Sequence, residues 1–193
     1  MNSLILQPTT TAEWQALVKE AEQRGHVHLS EDLESYLIFL LIRFTGRPEL
    51  IKSVVGMEFL QSSEALGQKK LEGLRDVGDK SLLLTGFFPG RAQSSHVRIS
   101  YFVKIGQSAY AALATLNKQN LAKLYVELCQ GFVVLMDVLH TIREQAGYSA
   151  GLTPLQAEEL WSDLSSPHAL EVLRRYTKST LIQTRSGTDG CFH

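Results

Sequence analysis

Between Ser30 and Phe44 apolar residues occupy almost every face a helix could present. Leu33, Tyr36, Leu37, Leu40, Leu41 and Phe44 follow helical spacing, and Ile38, Phe39 and Ile42 fill the remaining faces. Such a helix is stable in water only when neighbours cover it on several sides. The chain is therefore expected to wrap a helical bundle around this segment as its central helix. Ser30 supplies an N-cap hydroxyl, and Glu31, Asp32 and Glu34 suit the positive end of the helix. The longest apolar run, Tyr36 to Ile42, stops at Arg43, far short of the roughly 20 residues that span a bilayer.

Helical periodicity recurs along the rest of the chain. Trp14, Leu17, Val18 and Ala21 mark a helix over 11–24, with Thr10 and Glu13 at capping-box spacing and Gly25 at its end. Residues 48–63 read as one or two short helices with Leu50, Ile51, Val54, Val55, Phe59 and Leu60 inward. A further helix is expected from Ser63 to Gly86, followed by a polar loop over 90–97. Val97, Ile99, Tyr101 and Val103 alternate like a strand, but the apolar pattern continues to Leu116, and that length favours a helix starting near Ser100. One continuous stripe from Leu121 to Ile142 predicts a long helix over 118–145, with Gly131 marking close packing or a bend. Thr153-Pro154 and Ser166-Pro167 each place a hydroxyl before a proline suited to the first helical turn.

These segments predict an all-α, single-domain bundle of about seven to eight helices over residues 1–180, with a flexible polar tail over 181–193. At 193 residues and 44% hydrophobic content, the chain can bury a core without disulfides or metals. Cys129 and Cys191 read as unpaired thiols of a reducing compartment, and residues 1–8 lack the basic start of a secretory signal. A cytoplasmic protein is expected, with no membrane partner.

The net charge of −1 conceals an asymmetry. No acid lies between Asp79 and Glu127, whereas Lys80, Arg91, Arg98, Lys104, Lys118 and Lys123 fall in that interval. Such a segment either packs against acidic helices of the same molecule or faces an anionic ligand. Arg91 and Arg98 flank the expected loop, and guanidinium groups suit phosphate or carboxylate. Nucleic acid would need a denser basic patch, so none is expected as a partner.

Metal and catalytic patterns are weak. His26 and His28 have no further ligands at a characteristic spacing. Asp137 and His140 share a helix face, but a di-iron bundle needs a second carboxylate–histidine pair. No nucleophile elbow or phosphate-binding glycine loop occurs. No metal, cofactor or catalytic residue is therefore assigned. Asp79, inside an apolar stretch, is expected to form an ion pair, for example with Arg98, because a buried charge must be paired.

The middle of the chain carries Leu74-Arg-Asp-Val-Gly-Asp79, Gly86-Phe-Phe-Pro89, Val97 with Tyr101-Phe-Val103, and Gly106 with Ala109-Tyr110. Over about residues 33–140 it resembles a family of hypothetical proteobacterial proteins. The resemblance implies no activity or cofactor. It does imply that Asp79, Arg98, Tyr101 and Tyr110 form one cluster near the 86–100 loop.

Two functions fit these observations. One is a non-enzymatic regulatory or scaffolding protein, acting through helix faces on a protein partner or on a second copy of itself. The other is a bundle binding a small anionic or amphipathic ligand near the basic segment 80–126. Arg91, Arg98, Tyr101, Tyr110 and Asp79 are its candidate ligand-binding residues, with Arg43 as a further candidate for the pocket wall.

Overall fold

The computed structural model describes residues 9–46, 55–94, 97–147 and 151–186. Among these residues there are ten helices and no strand. In chain order they are α1 (Thr10–Gly25), α2 (Glu31–Gly46), α3 (Val55–Glu64), α4 (Gly67–Phe87), α5 (Pro89–Ser94), α6 (Ile99–Leu116), α7 (Gln119–Gln130), α8 (Phe132–Gln145), α9 (Pro154–Leu164) and α10 (Pro167–Ser186). The all-α class is as expected, and the ambiguous 97–103 segment is helical from Ile99 onward.

The expected count of seven to eight helices is too low for two local reasons. Residues 90–94 of the expected 90–97 loop belong to a short helix, α5, with Pro89 at its first position and the Arg91 amide donating to the Phe88 carbonyl at 2.9 Å. The single helix expected over 118–145 breaks at Gly131, whose φ of −83° and ψ of 3° leave the helical well. A Cβ there would approach the Glu127 carbonyl at 3.0 Å and Leu33 Cδ1 at 3.1 Å, so α2 packs tightly against the bend. α10 remains helical to Ser186, within the range expected to be tail. Cys191 and the inward set Leu50, Ile51 and Val54 lie outside the described residues.

The centre of the bundle is α4, α6 and α8 rather than α2. In α4 the residues Val77–Asp79 and Ser81–Gly86 are all buried, and in α8 the whole run Leu135–Ile142 is. α2 packs mainly on α1 and leaves Phe39 67% exposed, so its all-round apolar character overstates its burial. Two glycines allow the central helices to touch. A Cβ on Gly78 would collide with the Tyr110 ring, and one on Gly106 would collide with Phe132 and Ser81.

The caps follow the sequence closely. Thr153 and Gln156 form both halves of a capping box at the start of α9. The Ser30 hydroxyl oxygen accepts from the Leu33 amide at 3.3 Å, and that of Ser166 accepts from the Ala169 amide at 3.1 Å. At α1 the cap lies one residue before the expected one, because Thr9 Oγ1 accepts from the Ala12 amide at 3.3 Å. The left-handed residue closing α1 is His26, with φ of 51°, rather than Gly25.

Candidate functional site

Three places hold the chemistry of this bundle: a buried carboxylate, a histidine pair and an apolar pocket. Asp79 projects from α4 into the core and is 2% exposed. Its Oδ1 accepts from the hydroxyls of Tyr36, at 2.6 Å, and Tyr110, at 2.8 Å. Its Oδ2 accepts from Arg43 Nη2 at 2.6 Å. Tyr36 and Arg43 are seven residues apart, two turns of α2, and so reach the carboxylate from one face. Burial pushes the Asp79 carboxyl upward against the pull of Arg43 and the two hydroxyls. Burial, reinforced by the Asp79 charge, raises both tyrosines well above their usual range. The cluster is dense with aromatic rings, Tyr36 and Tyr110 meeting edge to face at 6.3 Å, and has the character of a structural clamp.

The expected Asp79–Arg98 pair does not form, and Arg98 and Tyr101 do not join Tyr110. Tyr110 lies nine residues after Tyr101, half a helical revolution out of phase, and twelve after Arg98, about 18 Å along the axis of α6. Arg98 instead pairs with Asp163 of α9 at 3.1 Å. With Tyr101 and Lys104 it lines a shallow surface groove. Hydrogen bonding from the Ser100 hydroxyl and pairing with Arg98 hold the Asp163 carboxyl below its usual range. The acid-free segment is thus partly answered within the molecule, since Lys80 also pairs with Glu58 of α3 at 2.8 Å.

On the far side of α8, Asp137 and His140 face the start of α10. Asp137 accepts from the Ser166 hydroxyl at 2.7 Å and from the His168 amide at 3.3 Å. His140 is 1% exposed and stacks on His168 with ring centroids 5.5 Å apart. Neither ring nitrogen of His140 has a hydrogen-bond partner among the described residues. Burial therefore holds its pKa well below 6.5. His168 Nε2 meets Glu144 Oε1 at 3.1 Å, and Glu144 also pairs with Arg175 at 3.6 Å. Among the described residues no group of three His, Cys, Asp or Glu side chains is placed to hold a metal ion.

The third place is a cavity of about 800 Å³ between α1, α2, the α4–α5 corner and α8. That volume falls in the usual range of roughly 300–1,000 Å³ for small-molecule sites. Trp14, Leu17, Ile142 and three phenylalanines make its walls. Phe44 stacks on Phe87 at 6.5 Å and meets Phe88 edge-on at 6.0 Å. Among the described residues, Arg91 and Arg143 are its charged lining residues. The Arg91 guanidinium lies over the Phe88 ring, 5.5 Å from its centroid.

Of the five ligand-binding candidates, then, the structure brings Asp79 and Tyr110 together in the core and Arg98 and Tyr101 together at the surface, but does not join the two pairs. Arg91 lines the large pocket, and Arg98 and Tyr101 lie at the surface groove. Sequence reasoning missed Trp14, Phe44 and Arg143 as site residues; they belong to α1, α2 and the distant α8. The one available signal was the aromatic pair Phe87-Phe88 beside a helix end, which reads equally well as core. Among the described residues no helix is long and apolar enough to cross a membrane. Comparison with protein-family models, curated proteins and solved structures finds no match to this chain.

Proposed function

We propose that this chain is a binding protein for a small ligand with an apolar body, taken up in the pocket between α1, α2, the α4–α5 corner and α8. The observation that carries this reading is the pocket itself: about 800 Å³ walled by four aromatic rings. An aliphatic body transferred there from water gains roughly 0.8 kcal/mol per buried CH₂, enough for micromolar affinity with a medium-length chain. The candidate ligand residue Arg91 belongs to this site, whereas Asp79 and Tyr110 act in the core that supports it.

Trp14 is a built-in reporter, because the chain has two tryptophans and the other, Trp161, is on α9. In a Trp161→Phe protein, titration with decanol below its aggregation limit should shift Trp14 emission to shorter wavelength and saturate. Gly90 lines the pocket, and a Cβ added there meets nothing within 4 Å. Gly90→Phe should therefore fold normally and abolish the saturable shift. A linear, unsaturable response in the parent protein would refute the reading.

A second reading, a regulatory or scaffolding protein acting through helix faces, is supported by the exposure of Met57, Leu60 and Leu66. Leu60, expected to point inward, is 64% exposed. Three large apolar side chains within ten residues suit contact with a second copy of this chain. Sedimentation velocity at rising concentration should then show a dimer that Leu60→Lys dissociates. A monomer at all concentrations would exclude it.

A further inference from the structure

We infer that the surface where α6 meets α9 is an interface between two copies of this chain, related by a two-fold axis that sets Lys104 of each copy against Glu158 of the other. This surface is independent of the pocket, and its side chains are not the Met57, Leu60 and Leu66 of α3.

Charge is segregated by helix at this meeting point. α6 carries no acid, and Lys104 is its single cation, whereas α9 carries Glu158, Glu159 and Asp163 and no cation. Where the two helices touch, the charges answer each other within the chain. Arg98 pairs with Asp163 at 3.1 Å, and Glu159 accepts from the Ser100 amide, at the start of α6, at 3.0 Å. Arg98 and Asp163 line two adjoining surface grooves. One also holds Tyr101 and Lys104 of α6, and the other holds Leu155 and Glu158 of α9. The surface is therefore ordered, with a cation and an aromatic ring on one side of the Arg98–Asp163 pair and an acid and an aliphatic side chain on the other.

A surface ordered in this way is complementary to itself. A two-fold rotation about an axis through the Arg98–Asp163 pair lays the α6 side of one copy on the α9 side of the other, as an isologous contact requires. Lys104 then meets Glu158 twice, once on each side of the axis, and Tyr101 meets Leu155. Within one copy Lys104 only adds to the pull of Arg98 on Asp163, and Glu158 is exposed on the outward side of α9. Leu155 is 64% exposed and Tyr101 47%, which gives the contact apolar surface to bury. A partner of one charge sign would match one half of this surface and be repelled by the other half, whereas a second copy matches both.

The test is sedimentation velocity over a range of concentration and salt on the parent chain, on Lys104→Glu, on Glu158→Lys and on an equimolar mixture of the two variants. Both positions are exposed, so each variant is expected to fold, which circular dichroism checks. The parent is expected to dimerise more weakly as salt rises. Each variant alone sets like charges together on both sides of the axis and should weaken the dimer roughly tenfold or more. The mixture should recover the parental affinity, because every contact then joins opposite charges again. Failure of the mixture to recover would overturn the pairing of Lys104 with Glu158. A dimer that both charge reversals leave intact and Leu60→Lys dissociates would overturn this interface in favour of the α3 face. A parent chain that stays monomeric at all concentrations would overturn both. The pocket reading is decided separately, by the decanol titration.

Discussion

A carboxylate with three donors around it in a closed core is held firmly only while all of them are present. Replacing Asp79 by Ala leaves Arg43 and two hydroxyls without their common acceptor, and is expected to destabilise the protein by about 3–5 kcal/mol. Tyr110→Phe removes one donor and should cost about 1–3 kcal/mol. Urea unfolding checks both, and an unshifted midpoint for Asp79→Ala would contradict the clamp. His140 sets the acid limit. Its ring is neutral in the fold but takes up a proton once unfolded, so its contribution is complete above pH 6.5 and declines as pH falls below that value. One proton gives a slope of at most about 1.4 kcal/mol per pH unit. Glu144, held low mainly by its hydrogen bond with His168, adds a loss below its usual pKa of 4.5. Asp137, raised by burial, acts in the opposite sense, because the fold keeps its proton more readily than the unfolded chain does. Thermal melting should therefore fall from pH 6.5 toward 4.5, and His140→Leu should flatten that dependence. A slope retained in full by His140→Leu would assign it to other groups. That Asp79 would need a partner was legible in its apolar surroundings. Which partner was not, because the choice between Arg43 and Arg98 is made by where the tertiary fold sets α2, whose Tyr36 and Arg43 side chains reach Asp79.

Helices here are fixed by their own caps but placed by residues that spacing rules do not flag. Thr153 with Gln156, and Ser166 before Pro167, announce the starts of α9 and α10 in sequence because each cap is a contact within one turn. The close approach of α4 and α6 has no such local mark: Gly78 and Gly106 read as weak points in their helices until Tyr110 and Phe132 are seen against them. Gly78→Ala should gain about 1 kcal/mol in helix propensity yet lose more through overpacking, for a net destabilisation of about 1–3 kcal/mol by thermal or urea denaturation. A stabilised Gly78→Ala would contradict the tight α4–α6 contact. The α9–α10 hairpin meets α6 and α8 through Arg98–Asp163, Ser100–Asp163, Asp137–Ser166 and Glu144–His168 as well as through Leu160 and Ala169. Several of these contacts depend on carboxylates and on the neutral His140 beside them. Hydrogen exchange at pH 5 is expected to rise first in α9 and α10, and equal acceleration in α4 would argue against a separately opening hairpin.

At the scale of the whole molecule, the all-α class was legible because helical periodicity is written into each segment. The pocket was not. Its walls come from α1, α2, α4, α5 and α8, and no spacing rule links Trp14 to Phe44, Phe88 or Ile142. Arg91 falls in the acid-free interval, but Arg143 lies beyond it, in a helix whose pattern reads as core. The pocket and the clamp share α2: Phe44, in the pocket wall, follows Arg43, which holds Asp79. Loss of the clamp should therefore weaken ligand uptake as well as stability. The most direct test of the ligand site is an NMR measurement of contacts between ¹³C-labelled decanol and the protein. Intermolecular NOEs from its aliphatic chain to the rings of Trp14, Phe44 and Phe87 are predicted. NOEs confined to exposed side chains such as Phe39, Met57 and Leu60 would contradict the pocket as the site of binding.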